Sequence, residues 1–197
     1  MAITSQQVNS LRQKTGLGMM DCKKALEESG GDEDKAVEIL RKKGIAKAGE
    51  KATRATAQGL VVSYIHSNNQ VGTLVEVNCE TDFVARTEGF QQFCRDIAMH
   101  VAAANPLHLV PSEVSPELLE KEAEIYAEQM RNEGKKEEMI GKIVEAKLKK
   151  FAEEISLMTQ AFVKNPDITI DQYTKEMISK TGENIQIRRF ARFSLTA

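Results

Sequence analysis

The first 44 residues carry apolar side chains at spacings of three and four, which is the period of an α-helix. A capping box, Thr4 with Gln7, predicts where the first helix begins. Two glycine-containing turns divide the stretch, because glycine adopts the left-handed conformation that ends a helix at little cost. Three short helices are therefore predicted, the third ending at Gly44, and together they form a small N-terminal module.

Residues 45–57 are rich in alanine, lysine and threonine and nearly lack large apolar side chains. They predict a partly helical connector. The pattern then changes to alternation over 59–66 and 71–79, on either side of a polar turn at 67–70, which predicts a β-hairpin. Because both faces of this hairpin carry apolar residues, we expect it to be covered on more than one side.

Four amphipathic stretches follow the hairpin and predict four helices. Stop signals end the first, second and fourth at Asn105, Gly134 and Gly182, and the third is a long helix whose apolar positions run from Ile140 to Ile155. A loop is predicted at 165–167, where asparagine, proline and aspartate adjoin.

The last stretch, 184–195, alternates like a strand, but the alternation slips between Ile187 and Phe190. That slip is consistent with a β-bulge or with a strand that is apolar on both faces. The whole pattern predicts an α+β fold with three parts: a helical module over 1–44, a connector over 45–57, and a core over 58–197 in which an antiparallel three-stranded sheet is packed with helices.

The charge balance argues against broad binding to nucleic acid. Lysine and arginine number 27 and aspartate and glutamate 29, which leaves a net charge of −2. Nucleic-acid binding needs surplus positive charge. The charge is uneven, since 41–54 carries six basic residues against one glutamate and 117–138 carries eight glutamates against four basic residues. Both runs are typical of a solvated helix face, and RNA binding by the basic run stays an alternative.

No stretch of 18 apolar residues occurs, so no membrane span is predicted. Residues 1–10 lack the layout of a signal peptide, which favours a protein that stays in the cytoplasm. The three cysteines, Cys22, Cys79 and Cys94, are odd in number and match no metal or redox spacing. We expect them to be free thiols that fill small buried positions.

Catalytic chemistry is not indicated. The three histidines, His66, His100 and His108, lie too far from one another and from any cysteine for a typical metal site. There is no glycine-rich phosphate loop, and aromatic residues make up only 5%, with no tryptophan to stack on a base. We predict neither an enzyme nor a cofactor, although groups converging from distant positions stay an alternative.

Two short segments do not fit a purely structural role. Met19 and Met20 adjoin glycines in an interhelical turn, where flexible methionines fill a core or form an adaptable contact surface, and one of each is an intermediate possibility. Phe83 and Val84 follow Asp82 between a strand and a helix. They form either a capped helix start with Phe83 under the sheet, or a protruding aromatic wedge beside a carboxylate that enters a pocket on a partner.

Three motifs resemble those of elongation factor Ts. They are the stretch from Leu11 to Leu26 (LRQKTGLGMMDCKKAL), the stretch from Glu76 to Arg86 (EVNCETDFVAR), and Gly182-Glu183-Asn184-Ile185 leading into Arg188 and Arg189. The resemblance extends over the whole chain, in the compact form with one core half rather than two. It implies a guanine-nucleotide exchange factor that acts on the GTPase elongation factor Tu in translation.

The resemblance also implies roles for residues. The N-terminal module, similar to a ubiquitin-associated domain, docks on the nucleotide-binding domain of the GTPase. Thr81, Asp82, Phe83 and Val84 push in beside its Mg²⁺, with Phe83 wedged between helices and Asp82 disturbing the groups that order the metal. The residues implied in docking are Arg12, Met19, Met20, Lys23, His66 and Gly182.

Short members of this family are expected to be homodimers, and neither a cofactor, a membrane nor direct nucleic-acid binding is implied. Two other hypotheses remain from the residues themselves. One is that the N-terminal helices serve mainly as a binding module for ubiquitin-like or ribosomal partners. The other is that the basic run binds RNA.

Overall fold

The N-terminal part of the chain forms three helices. A computed structural model describes residues 3–195, apart from the side chains of residues 45 and 47. The helices are α1 (Ser5–Thr15), α2 (Met19–Glu28) and α3 (Glu33–Lys51). The Thr4–Gln7 capping box is present, with Gln7 donating its backbone N–H to Thr4 Oγ1 at 3.3 Å. The three helices enclose one apolar cluster, made of Val8, Leu11, Cys22, Ala25, Leu26, Ala36 and Leu40.

The prediction that the third helix ends at Gly44 is wrong, because α3 continues to Lys51. A glycine inside a helix costs only about 1 kcal/mol, so packing can override it. A Cβ at position 44 would lie 3.0 Å from Ser179 Oγ in the helix α8 (Ile170–Thr181). The glycine therefore allows α3 and α8 to approach closely, which explains its place within the helix.

The sheet has three strands, β1 (Gln58–Ile65), β2 (Val71–Cys79) and β5 (Ile185–Ser194), in the order β1-β2-β5. The predicted α+β class, hairpin and antiparallel three-stranded sheet are confirmed. Gly59 is required where the first two strands meet, since a Cβ there would lie 2.2 Å from the carbonyl oxygen of Val77 and its φ is +149°.

Within residues 3–195, the two faces of the sheet differ in burial. Along β2, Thr73, Val75, Val77 and Cys79 are buried, as the alternation predicts. On the other face, large apolar side chains are exposed along all three strands, so the chain itself does not cover that face, and cover on more than one side stays a prediction. The predicted slip in β5 is present, since Arg188 and Arg189 are both exposed in an otherwise alternating strand.

The remaining elements are mostly helical. The helix α5 (Glu88–Ala104) carries the predicted apolar stripe of Phe90, Phe93, Cys94, Ile97 and Val101, all of them fully buried. A short pair of antiparallel strands precedes α8, and its second strand occupies the segment predicted as a loop at 165–167. The pairing buries Phe162 and Ile168, and Pro166 is tolerated in so short a ribbon. The elements are α4 (Asp82–Ala85), α5 (Glu88–Ala104), α6 (Pro116–Asn132), α7 (Glu137–Glu154), β3 (Ala161–Phe162) and β4 (Asn165–Thr169).

The chain divides into two compact units. The first contains the residues up to Val62 together with Val75–Asp96 and Gln172–Arg188. The second contains Ser63–Leu74, Ile97–Asp171 and the residues from Arg189 onward. The division of the chain into domains at 1–44, 45–57 and 58–197 stays a prediction.

The three cysteines are free and buried, as predicted. Burial raises the pKa of the Cys94 thiol to about 12 and also raises the pKa of Cys79. Because the thiolate is the reactive form, these two side chains are poor nucleophiles at neutral pH.

His100 is a buried structural histidine in the second unit. Its Nδ1 accepts the backbone N–H of Val163 at 3.3 Å, so the ring proton lies on Nε2, which is 3.0 Å from Gln160 Oε1. The amide group of Gln160 donates to the carbonyl oxygen of Glu154 at 2.8 Å, which fixes its oxygen toward the ring. The neutral imidazole therefore accepts from Val163 and donates to Gln160. In the imidazolium, Nδ1 would also carry a proton and would face the N–H of Val163, which is itself a donor.

Acidification is expected to weaken folding through His100. Burial lowers the pKa of His100 below the value of 6.5 that is expected in the unfolded chain. Its contribution to stability is therefore complete above pH 6.5 and is lost as the pH falls below 6.5 toward the folded pKa. Urea unfolding should show the free energy of unfolding falling there by up to about 1.4 kcal/mol per pH unit. His100→Gln should remove that part of the slope, and an equal slope in both proteins would contradict the assignment.

Candidate partner-binding site

The segment after β2 forms a single helical turn, α4, capped by Thr81. The cap and the first three residues of the turn, Thr81 to Val84, are called here the tip. Thr81 Oγ1 accepts the backbone N–H of Val84 at 3.3 Å and so caps the turn. Phe83 is 83% exposed, whereas Ala85 is buried. Of the two structural alternatives, the cap is confirmed, but Phe83 does not lie under the sheet.

The tip places an apolar ring beside a carboxylate. Asp82 is exposed and pairs with Arg86, with Oδ2 and Nη2 at 3.1 Å. An exposed pair of this kind contributes little to stability. Burying a phenylalanine side chain against a partner is worth about 1.5–3 kcal/mol. The arrangement is therefore suited to binding a partner rather than to stabilising this chain.

Glu183 holds the backbone where the tip begins. Its Oε2 accepts the backbone N–H groups of Glu80 and Thr81 at 3.1 and 3.0 Å, and its Oε1 accepts the hydroxyl of Thr81 at 2.5 Å. One half-buried carboxylate thus receives three hydrogen bonds from two consecutive residues.

Asn184 extends the same network toward the end of α3. Its backbone N–H donates to Glu80 Oε1 at 2.6 Å, and its buried amide group donates to the carbonyl oxygens of Ala52 and Arg54 at 3.3 and 2.8 Å. Sequence reasoning did not assign Glu183 or Asn184 to the site. The sequence does show this polar pair directly before an apolar strand. The hydrogen-bond partners of the pair, however, lie about a hundred positions away, and no local spacing reveals them.

The predicted docking residues of the N-terminal helices are all exposed. Met19 and Met20 are 47% and 63% exposed, so neither fills the core and the division into one inward and one outward methionine is wrong. Lys23 lies one turn further along α2 and forms only a loose pair with Glu27 at 3.8 Å. Arg12, on α1, is exposed as well.

The two remaining docking residues lie elsewhere in the chain. Gly182 is exposed, has a φ of +78° and ends α8, directly before Glu183. His66 is exposed in the second unit, where its Nδ1 lies 3.1 Å from the hydroxyl of Tyr64. The structure thus brings the tip and the Gly182 turn together through Glu183, whereas His66 belongs to the other compact unit.

Three of the six basic residues in the basic run, 41–54, form ion pairs within the first unit. Arg41 lies 3.3 Å from Glu176, Lys43 pairs with Glu28, and Arg54 lies 3.5 Å from Glu80. These pairs occupy cations that RNA binding would need, so nothing here favours that alternative.

Within residues 3–195, no group of three or more histidine, cysteine or acidic side chains is arranged to hold a metal ion. None of the helices in that part of the chain has the length and apolar character needed to cross a membrane.

Comparison with known proteins decides the family. The family model described as "Elongation factor TS" matches residues 6–177. The chain belongs to the elongation factor Ts family. The elongation factor Ts of Geotalea daltonii is 56% identical over 195 residues, which is 99% of this chain and 90% of that protein. The elongation factor Ts of Geobacter sulfurreducens is 57% identical over the same length, and that of Desulfosudis oleivorans is 51% identical over 98% of each chain.

Membership of the elongation factor Ts family confirms the resemblance inferred from the three motifs. The matched region contains the first two motifs, including Met19, Met20 and the whole tip. The third motif, which begins at Gly182, follows the matched region and lies within a chain that its relatives cover almost completely.

Proposed function

We propose that this chain is a guanine-nucleotide exchange factor for elongation factor Tu. It binds the GDP-bound GTPase, disturbs the Mg²⁺ site and promotes release of GDP during translation elongation in the cytoplasm. The observation that carries the proposal is the exposed Phe83 beside Asp82 on an anchored turn, in a chain of the elongation factor Ts family.

The proposed mechanism uses displacement and no covalent chemistry. Mg²⁺ in a GTPase neutralises phosphate charge, so groups that disturb its ligands raise the energy of bound nucleotide. Phe83 supplies apolar surface that is buried only when the partner opens a space for it, and Asp82 brings negative charge close to the metal ligands. A thousandfold faster release requires a barrier lower by only about 4 kcal/mol. One buried aromatic anchor and one lost metal contact are of that size.

Binding and release are coupled in this scheme. The factor prefers the nucleotide-free GTPase, so it weakens nucleotide binding by the same factor by which nucleotide weakens its own binding. Arg12, Met19, Met20 and Lys23 dock the N-terminal helices, and His66 and Gly182 add contacts elsewhere. The exposed methionines support this role, since a flexible thioether side chain adapts to a partner surface.

We also propose that the chain acts as a homodimer through the open face of its sheet. The sheet patch, defined by Ile65, Leu74, Phe193 and Leu195, consists of side chains that are 60%, 47%, 70% and 82% exposed. All four belong to the second unit, and the Ile65 side chain lies over Gly72 on the same face. A second copy of the patch supplies an equally apolar and self-complementary surface, as a two-fold interface requires.

The test of the proposed function is release of fluorescent GDP from elongation factor Tu of the same organism. Excess unlabelled GDP is present, and the chain is added in catalytic amounts. We expect release to accelerate about a hundredfold or more, equivalent to a barrier lower by roughly 2.7 kcal/mol. An unchanged rate with a partner that binds the chain in a pull-down would refute exchange activity while leaving the family assignment intact.

A further inference from the structure

We infer that Glu183 is a positioning residue for exchange: its carboxylate holds the backbone of Glu80 and Thr81 so that Asp82 and Phe83 are presented in one orientation. The inference rests on the proposed function of the tip. It concerns a residue on a different segment of the chain, and Glu183 acts by orienting the tip rather than by touching the partner.

The tip cannot hold its own shape. α4 has four residues and so consists of one helical turn. Such a turn is unstable by itself, because the first turn fixes several dihedral angles for one hydrogen bond. Its orientation must therefore come from what flanks it, namely the Thr81 cap, the buried Ala85 and the residues before the turn.

Glu183 supplies the anchor on the side of the strand. Both of its oxygens are used by Glu80 and Thr81, and a carboxylate, which only accepts hydrogen bonds, fits three donors. By accepting the Thr81 hydroxyl proton, Glu183 also directs the free lone pair of Oγ1 toward the Val84 N–H that it caps. One side chain thus fixes both the entry to the turn and its cap.

Glu183 is itself held in place. Its backbone N–H donates to Thr181 Oγ1 at 3.3 Å, and the neighbouring Asn184 is buried with its amide group donating to two carbonyl oxygens. The anchor is therefore attached to the end of α8 and the start of β5, both of which lie in the first unit.

The inference separates geometry from charge. Glutamine at position 183 can accept the two backbone N–H groups with its carbonyl oxygen and donate its amide to Thr81 Oγ1, so it keeps the orientation without the charge. Alanine removes all three hydrogen bonds. We therefore expect Glu183→Ala to lower the maximal exchange rate by about tenfold or more, because a small misplacement of a positioned group is costly. Glu183→Gln should remain within about threefold of the parent, and neither change should alter the concentration for half-maximal exchange more than about threefold.

The experiment compares Glu183→Ala, Glu183→Gln and Phe83→Ala in the GDP-release assay, with Glu153→Ala as the control. Glu153 forms only an i,i+4 pair with Lys149 through its side chain. The two Glu183 variants and the control are also made in a Phe83→Trp background, since the chain has no tryptophan of its own. The fluorescence anisotropy of the introduced indole then reports the mobility of the tip without any partner, and thermal melting reports folding.

Slow exchange and lower anisotropy in Glu183→Ala, both restored in Glu183→Gln at an unchanged melting temperature, are the expected results. Slow exchange in Phe83→Ala with normal exchange in Glu183→Ala would overturn the role of Glu183 and leave the proposed function standing. Equal losses in the Ala and Gln variants with unchanged anisotropy would also overturn it, since Glu183 would then touch the partner. Normal exchange in both Phe83→Ala and Glu183→Ala would overturn the role of the tip itself.

Discussion

Replacing Phe83 by alanine is expected to slow catalysed GDP release about thirtyfold or more, because a central aromatic anchor contributes roughly 2 kcal/mol or more to an interface. The ring is 83% exposed in the free chain, so its removal costs almost no folding free energy. Release of fluorescent GDP, measured over a range of factor concentrations, gives the maximal rate and the half-saturating concentration. Thermal melting of the same preparation should give an unchanged midpoint.

Met139→Ala is a matched control for Phe83→Ala, since Met139 is an exposed apolar side chain on α7, 54% accessible, with no proposed role. It should leave both exchange and melting unchanged. If Phe83→Ala exchanges as fast as the parent, the wedge role is refuted and the proposed mechanism loses its main observation. If both variants lose activity equally, the loss is general and does not belong to the tip.

Replacing Phe193 by glutamate is expected to weaken self-association about a hundredfold or more, since it places an unpaired charge within a buried apolar contact. Phe193 is 70% exposed and belongs to the sheet patch proposed as the interface between two copies. Sedimentation equilibrium of the parent should show dimers at concentrations where the variant is monomeric. Far-ultraviolet circular dichroism should be unchanged, because the substituted side chain does not contribute to the core.

The same chemical change at Met139 is the control for self-association, and Met139→Glu should leave the dimer intact. A parent chain that is monomeric at all accessible concentrations would refute the homodimer. A variant that remains dimeric would place the interface away from the sheet patch.

Local patterns in the sequence were sufficient for much of the fold. The Thr4 capping box, the hairpin and the buried stripe of α5 all depend on neighbours within a few positions, and all are present. The slip near Arg188 also follows from the order of apolar residues alone. These features could be predicted because backbone geometry fixes which side chains share a face.

Two of the wrong predictions share a physical cause, since both depend on residues distant in the sequence. Gly44 lies inside a helix because Ser179 approaches it, and the segment at 165–167 is a strand because residues 161 and 162 pair with β4. The exposure of one sheet face, which includes Phe193, could not be inferred from the sequence pattern. Apolar residues on both faces are equally compatible with cover by the same chain and with cover by a second copy.

The candidate site also contains one residue that local patterns identify and one that they do not. Phe83 was identifiable because an aromatic residue is unusual in a junction between a strand and a helix, but whether it was exposed was not determined by spacing. Glu183 was outside the reach of local patterns, since its partners Glu80 and Thr81 are 103 and 102 positions away.

That separation has a consequence for synthesis of the chain. A ribosome adds about 5–20 residues per second, so Glu183 emerges roughly 5–20 s after the tip whose backbone it holds. During that interval the nascent tip lacks its anchor, and closing so long a loop is a late event in folding. The tip therefore acquires its fixed orientation only after Glu183 has been synthesised and has folded against Glu80 and Thr81.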